Sequence, residues 1–534
     1  MAYQKPSVTV KQTQKSNSLV YPDPQFQSCV VGPGYYWQDP AREDDEINAV
    51  YSGQYESAQI IMSGGDFTDE HGDNIIDDTV IVDLVRTKKD AASDGTIGEV
   101  KHLVKNTDFT VSGDSITVNA DIPEFDGTED KANIRVGFAS ERSDIIDNFE
   151  RINEAQQIRD WVGEPVSWNP LAFGAEIMLT SSGAATNIIG TNPSNGDHGN
   201  AISILEMKKD IYTIAPLTQV AAENEKYLSH VVEMSKPENK GERIVFTNRK
   251  VSSYLGDPEP HSVSDKDAAA QAIQDYSASR GERRFFAIHP DGAFVRERRH
   301  VSTLRQSFIQ AIFGNNFTLL PRFISSRKIG NQSYKSFQEI DGTVVDNLIN
   351  NGIDYITVYA PVPGYYFNPA VAGQVVRKEP EQPLTNSGIS SISRVYRSND
   401  YFSERQLNTI AEGGTWIMQE LSPDAIVNRH QLSTDALSIE ARELSITNSV
   451  DFVAKYVRDL LSPVIGKRVI SDSFLQEVRA SLNGAAETLV NNGRVRSLNI
   501  IDVYQDDLQP DTLRVTLSVE PFFPVNNIKI ELIF

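Results

Sequence analysis

Residues 210–235 read "DIYTIAPLTQVAAENEKYLSHVVEMS", and this stretch sets the architecture of the middle of the chain. "DIYTIAPLT" (210–218) is a short β-prone apolar run closed by Pro and Thr, a strand pattern. "QVAAENEKYLSHVVEMS" (219–235) spaces its apolar residues at helical intervals. The alternation continues with "ERIVFTN" (242–248) as a strand, "DKDAAAQAIQDYSASR" (265–280) as a helix and "RFFAIHP" (284–290) as a strand. Strand–helix–strand–helix–strand is the signature of an α/β layer. The spacing predicts a middle α/β domain over 141–394. It opens with a helix over 143–163, where Ile145, Phe149, Ile152 and Ile158 approach helical spacing up to Gly163. Two polar stretches, "TSSGAATNIIGTNPSNGDHGN" (180–200) and "RKEPEQPLTNSG" (377–388), read as loops.

Downstream the pattern changes. "SVDFVAKYVRDLLSPVIG" (449–466) places Val450, Val453, Val457, Leu460 and Leu461 on one helical stripe that ends at Pro463. "SFLQEVRASLNGAAETLVNNG" (473–493) predicts a second amphipathic helix, with Ser473 and Gln476 at capping-box spacing and Gly493 just past its end. "VRSLNIIDVY" (495–504) and "TLRVTLSVEP" (512–521) read as two strands joined through "QDDLQPD". Residues 395–534 are therefore expected to form a separate α+β domain.

Upstream, residues 37–140 are acidic and turn-rich. "TVIVDLV" (79–85), "DFTVSGDSITVNADI" (108–122) and "NIRVGFAS" (133–140) alternate as short strands, with "SGDS" as a hairpin turn. A small β-rich acidic surface domain is expected there, as a sandwich or barrel. Residues 1–36 read as an arm, with Val8 and Val10 on one side of an extended stretch, followed by a short buried strand at "CVVG" (29–32).

The chain has 534 residues, 39% hydrophobic and 23% charged, which is ordinary for a globular protein and too long for a single core. The net charge of −23 disfavours wholesale nucleic-acid binding, which needs clustered Lys and Arg. The exception is "RGERRFFAIHPDGAFVRERRH" (280–300), with Arg280, Arg283, Arg284, Arg296, Arg298 and Arg299, read mainly as a solvated face or a contact with an acidic partner. No apolar run is long enough to span a membrane, and the opening residues lack the apolar core of a secretion signal. The single cysteine, Cys29, excludes an internal disulfide framework and sits among core-like residues.

Catalytic signatures are missing. There is no G-x-x-x-x-G-K-[ST] and no G-x-S-x-G, and the eight histidines never pair at metal-site spacing along a helix. "DFTDEHGDNIIDD" (66–78) has enough carboxylates for calcium, at Asp66, Asp69, Glu70, Asp73, Asp77 and Asp78, but lacks the EF-hand order and reads better as a solvated acidic loop. The 180–200 loop has no following Lys to hold an anion. The expectation is no catalytic residue, no cofactor and no metal.

The end of the chain, "PVNNIKIELIF" (524–534), puts Ile528, Ile530, Leu532 and Phe534 on every second residue, hence on one face of a strand. Unpaired, such a strand is an aggregation hazard, so it must join its own domain's sheet or a neighbour's. Residues 521–527 can stretch about 25 Å, enough to leave the parent domain. Burying four large apolar side chains contributes about 6–12 kcal/mol, and ordering seven backbone residues costs about 7–14 kcal/mol. One arm alone is marginal, whereas a lattice that links every subunit makes later contacts intramolecular.

At "DYFSERQLNTIAEGGTWIM" (400–418), "HQLSTDALSIEARELSITNSVDFVAKYVRDLLSPVIGK" (430–467) and the closing helix–hairpin–arm, the chain resembles the contractile tail sheath proteins of myophages. "PAVAGQVVRKEPEQPLTN" (369–386) and "QSCVVGPGYYW" (27–37) resemble segments of the same family. The resemblance is good over the last 165 or so residues, thin over 141–368 and absent over 37–140. It implies a virion structural subunit, assembled in the host bacterial cytoplasm into stacked hexameric rings around a tail tube. Its implied partners are other copies of itself, the tube protein, and baseplate and tail terminator proteins, with no direct nucleic acid and no membrane insertion. It implies contraction without nucleotide hydrolysis, driving the tube through the host envelope. Both termini would be arms in neighbouring sheets, with Ile528 to Phe534 at one end and Val8 and Val10 at the other. The C-terminal domain would face the tube and the 37–140 insertion would lie outside. Lys455, Arg458, Lys467 and Arg468 are candidates for an acidic tube surface, or else lie on a solvated helix face. The other readings are a baseplate or capsid subunit, a phage-derived injection device, and an α/β enzyme using the 180–200 loop.

Overall fold

The computed structural model describes residues 25–38, 49–51, 59–61, 75–87, 100–112, 115–118, 131–193, 196–250, 261–526 and 528–533. The chain packs into two compact units. The larger runs from Phe26 to Lys378 with Pro383–Leu444, and the smaller comprises residues 445–533 with Glu379–Gln382. Packing therefore divides the chain near 445, whereas the sequence pattern changes near 395.

The larger unit contains, in chain order, β1 (Gln27–Pro33), β2 (Ile81–Thr87), β3 (Val100–His102), β4 (Lys131–Glu141), β5 (Phe149–Ile152) and α1 (Pro170–Ser182). These are followed by β6 (Thr186–Thr191), β7 (Ile211–Pro216), α2 (Ala221–Met234), β8 (Ile244–Asn248), α3 (Val263–Ala278) and β9 (Phe285–His289). Then come β10 (Gly292–His300), β11 (Tyr355–Pro363), α4 (Phe367–Arg377), β12 (Gly388–Ile389), β13 (Thr415–Ser422) and β14 (Ala425–Asn428).

The main sheet has nine strands in the order β5-β6-β1-β7-β8-β9-β13-β14-β12. The six from β6 to β13 are parallel, and the outer ones are antiparallel. Strands β6, β7, β8 and β9 are buried along their whole length, as a parallel sheet covered on both faces requires. Along β1, Val30 packs in the cluster with Leu171, Ala175, Val371 and Val375 of α1 and α4, while Cys29 and Val31 pack with Tyr227 and Val231 of α2. Period-2 alternation thus feeds two cores from one strand. The expected α/β layer is present, and Cys29 is a core residue with no exposed surface.

Strand β1 reaches the middle of this sheet from the far side of the insertion. Within 37–140 the described strands form a sheet of Tyr35–Gln38, β4, β2 and β3, with Ala49–Tyr51 also on β4, and a second sheet of Gln59–Ile61, Ser115–Val118 and Phe109–Ser112. Ser112 pairs with Ser115, so Phe109–Ser112 and Ser115–Val118 are consecutive antiparallel strands, while Gly113 and Asp114 lie outside the described residues. The calcium-like stretch 66–78 lies outside the described residues up to Asn74, as does "DPAREDDE" from Asp39 onward. A further sheet pairs β10 with β11 over nine residues.

Four expectations are corrected. Residues 143–163 are not one helix: Phe149–Ile152 is strand β5, antiparallel to β6, and the helix covers only Ala155–Trp161. Ile152 and Ile158 are both buried, so the apolar residues reach the core by a change of element. The 180–200 stretch is not a loop. Its residues Thr186–Thr191 form β6, where Thr186 Oγ1 meets Ser28 Oγ at 3.3 Å and Asn187 Nδ2 donates to the Ser28 carbonyl at 2.9 Å. The cap of the helix beginning at Asp472 is Ser471, whose Oγ accepts from the Phe474 amide at 3.3 Å, and not Ser473. The arginines of 280–300 are not one solvated face. Arg296 and Arg298 are exposed, but Arg299 is buried, with its guanidinium 4.1 Å from the centre of the Trp168 ring. Burial lowers its pKa to about 10, so it stays charged at neutral pH.

Candidate subunit-assembly surface

The smaller unit is built from α5 (Leu444–Leu461, the first residue lying in the larger unit), α6 (Asp472–Asn491), β15 (Ser497–Gln505) and β16 (Leu513–Glu520). Gly493 follows α6 at φ 71°, the left-handed residue expected past its end. Phe474, Val478 and Leu482 from one stripe of α6 meet Val503 of β15, with Val457, Leu460, Leu513, Val515 and Leu517 packed around them. Strand β16 alternates half-buried Leu513, Val515, Leu517 and Val519 with exposed Arg514, Thr516, Ser518 and Glu520. Register slips once, between Ile500 and Asp502, leaving Ile501 as a bulge that is 61% exposed.

Two polar anchors hold this frame. Asp506 accepts from the Leu508 and Gln509 amides at 2.8 and 3.1 Å and pairs with Arg514, so the hairpin turn is tied to the strand that follows it. The Arg514 guanidinium and those amides hold the Asp506 carboxyl below its usual range. Arg494 binds Glu379 and Glu381 and lies over the Phe452 ring, which draws Glu379–Gln382 into the unit.

The sheet stops at two strands. Among the described residues β15 and β16 pair only with each other, so each presents an open edge of amides and carbonyls. Packing against α6 supports one face of the hairpin, and its edges stay open. The C-terminal segment does not supply that third strand. Residues 521–526 and 528–533 form no strand or helix, and Val525, Ile528, Ile530, Leu532 and Ile533 are 79–90% exposed. The reading in which this segment edges its own domain's sheet is therefore overturned for the described residues. Leu508, Ile465 and Val469 add exposed apolar surface to the same unit.

The other predicted residues fall as follows. Val8, Val10 and Phe534 lie outside the described residues. Lys455 and Arg458 are half-buried on α5, while Lys467 and Arg468 are exposed between α5 and α6. Arg468 is committed to Glu477 through two contacts of 2.9 and 3.1 Å. A crevice of about 540 Å³ opens at the carboxyl ends of β1 and β7, lined by Leu217, Gln219, Lys250, Phe317 and Tyr365. Its Gln219 side chain is already spent on Asn248 and the Asp291 carbonyl, both at 2.6 Å. Among the described residues of 180–200, only Pro193 lines it. No described helix is long and apolar enough to cross a membrane.

No family model matches the chain. Over 170 residues it is 28% identical to the tail sheath protein of Mycobacterium phage Bxz1. The chain is similar to a phage tail sheath protein. That match takes in 31% of this chain and 28% of the phage protein, so the chain spans less than a third of that relative's length. Among solved structures, the contracted helical sheath of the anti-feeding prophage overlaps 73% of this chain and 89% of its own, at 8% identity and a TM-score of 0.47. The sheath tail protein of Desulfitobacterium hafniense overlaps 98% of both chains, at 8% identity and a TM-score of 0.38. The sequence feature that the eye can follow to this surface is the period-2 run at Ile528, Ile530 and Leu532. The open edges of β15 and β16 have no such signal, because an unpaired edge is a property of a sheet and not of a strand.

Proposed function

We propose that the chain is the repeating subunit of a contractile sheath, of a phage tail or of a related injection device. Subunits stack as hexameric rings around a tail tube. The apolar run from Ile528 to Phe534 of one subunit adds to the open hairpin edge of another, and the N-terminal stretch with Val8 and Val10 acts as a second arm. The observation that carries this reading is the exposed Ile528, Ile530 and Leu532 in a unit whose two-stranded sheet has unpaired edges among the described residues. β-Augmentation satisfies the backbone of both partners at once and buries the apolar row. Similarity to a tail sheath protein supports the same reading.

In this reading the linked arms keep subunits connected while rigid domains rotate and slide into a contracted state with more buried surface. The C-terminal domain (395–534) faces the tube, with Lys455, Arg458, Lys467 and Arg468 toward an acidic tube surface, and the β-rich 37–140 insertion lies outside. Exposed charges suit a tube contact that must break on contraction. Baseplate and terminator proteins cap the stack, and the assembled tail is the site of action.

Negative-stain electron microscopy of the full chain and of a chain lacking 525–534 tests this. Tubes or stacked rings from the full chain, and none from the truncation, are expected. Closed particles of one size from both would point to a baseplate or capsid subunit. Tubes from both would remove the arm from the assembly.

A further inference from the structure

The tertiary structure gathers a buried group of side chains that no spacing along the chain reveals. Asp83 of β2 and His102 of β3 are cross-strand partners. His300 ends β10, and Asp354 stands just before β11, whose Tyr355 pairs with His300. His102 Nδ1 lies 2.6 Å from Asp83 Oδ1, and its Nε2 lies 3.1 Å from Asp354 Oδ1. His300 Nε2 lies 3.2 Å from Asp83 Oδ2. The side chains of Asp83, His102 and His300 are 5%, 1% and 2% exposed, while that of Asp354 is 43% exposed. The two imidazole rings meet edge to face, 5.1 Å between centroids.

We propose that Asp83, His102 and His300 bind one divalent transition-metal ion of the zinc class, with Asp354 as the outer carboxylate that orients His102. One potential ligand atom from each of the three lies within 4.8 Å of the others, the only such group of three among the described residues. Tetrahedral zinc bonds of about 2.0–2.2 Å set donors about 3.3–3.6 Å apart, so the 2.6 Å Asp83–His102 contact must open by about 1 Å while the 3.2 Å Asp83–His300 contact already fits. Two imidazoles and one carboxylate select a borderline ion over calcium or magnesium, which take sets made almost wholly of oxygen. Asp354 on Nε2 of His102 is the carboxylate–imidazole arrangement that presents the other ring nitrogen, Nδ1, to a metal.

Charge points the same way. Without an ion, His102 faces a carboxylate from each ring nitrogen. His300 Nδ1 accepts the Ser302 amide at 3.3 Å, and its Nε2 faces Asp83. Two carboxylates, Asp83 and Asp354, thus converge on the two buried rings. A divalent ion between neutral imidazoles balances the two carboxylates completely. On binding, His102 gives up its Nδ1 proton to solvent. Coordination through Nε2 of His300 leaves the ring proton on Nδ1, so the long Ser302 contact opens. The ion would tie the sheet of the 37–140 insertion to the β10–β11 sheet, a staple independent of the assembly reading.

The test uses full-length, untagged protein, stripped with a chelator, dialysed and titrated with Co²⁺ and then Zn²⁺. One Co²⁺ per chain, a visible d–d band bleached by Zn²⁺, and a melting temperature raised by either ion are expected. His300→Gln abolishes the band, and Asp354→Asn, at a part-exposed position, weakens binding by about 10- to 100-fold. Absence of uptake by the parent chain overturns the proposal, as does a band of equal strength in His300→Gln. Unchanged Co²⁺ affinity in Asp354→Asn removes the outer carboxylate, and that variant still reports on the site if His300→Gln does not fold.

Discussion

His430 Nε2 lies 2.8 Å from Oε1 of Glu443, a carboxylate with no exposed surface. Gln431 Nε2 donates to the other oxygen of Glu443 at 3.2 Å, and Leu432 and Glu443 form a β-bridge. The pair therefore pins the chain that leaves β14 to the residue just before α5. Burial alone would raise the Glu443 carboxyl, but His430, Gln431 and Arg442 bring it below its ordinary value. A carboxylate depressed in the folded state contributes stability above its unfolded pKa of about 4.3 and loses that contribution as pH falls through the folded value. Urea midpoints measured from pH 6 down to pH 3 should fall for the parent chain and fall less steeply for Glu443→Gln. Parallel curves would show that Glu443 carries none of the acid sensitivity.

Helices α1 and α4 touch at Gly373. A Cβ there would stand 2.7 Å from Cβ of Ser181 and 2.8 Å from the Met178 carbonyl oxygen, both too close for real contacts. Gly373→Ala should destabilise the larger unit by about 1–3 kcal/mol, because one added methyl forces the two helices apart. Chemical denaturation followed by tryptophan fluorescence checks it. An unchanged midpoint would mean that the helices separate without cost.

Leu482 is 1% exposed at the centre of the small cluster between α6 and the β15–β16 hairpin. Leu482→Ala should cost about 2–5 kcal/mol. Hydrogen exchange should quicken at the amides of 497–505 and 513–520 while those of β7 and β8 keep their protection. Equal loss of protection in both groups would show that the cluster is not a separate cooperative element.

Ile530 is 79% exposed and makes no ladder hydrogen bond in the single chain. Ile530→Lys should leave stability within about 0.5 kcal/mol of the parent, as surface substitutions do. Polymerisation, followed by light scattering, should be strongly reduced, since a charge would enter the apolar row buried on strand addition. A large fall in melting temperature without loss of polymers would reverse the assignment.

How far the sequence was legible depends on the range of the interaction involved. Residues 210–290 announce their elements because each strand is an apolar run and each helix a 3.6-residue pattern, both local signals. β6 stayed hidden in "TSSGAATNIIGTNPSNGDHGN", since Thr186 and Asn187 look like loop residues until β1 supplies their partners. In 143–163 the apolar residues suited either element, and pairing of Phe149–Ile152 with β6 made the first half a strand.

Local pattern alone thus settled the α/β layer, the two amphipathic helices, the closing hairpin and the apolar row at Ile528, Ile530 and Leu532, because periodicity acts between near neighbours. Tertiary structure alone decided that β1 lies between β6 and β7, that Arg299 stacks inside on Trp168, and that His102 meets His300. Those outcomes depend on which distant surfaces exclude water together, and burial of that kind leaves no spacing to read along the chain.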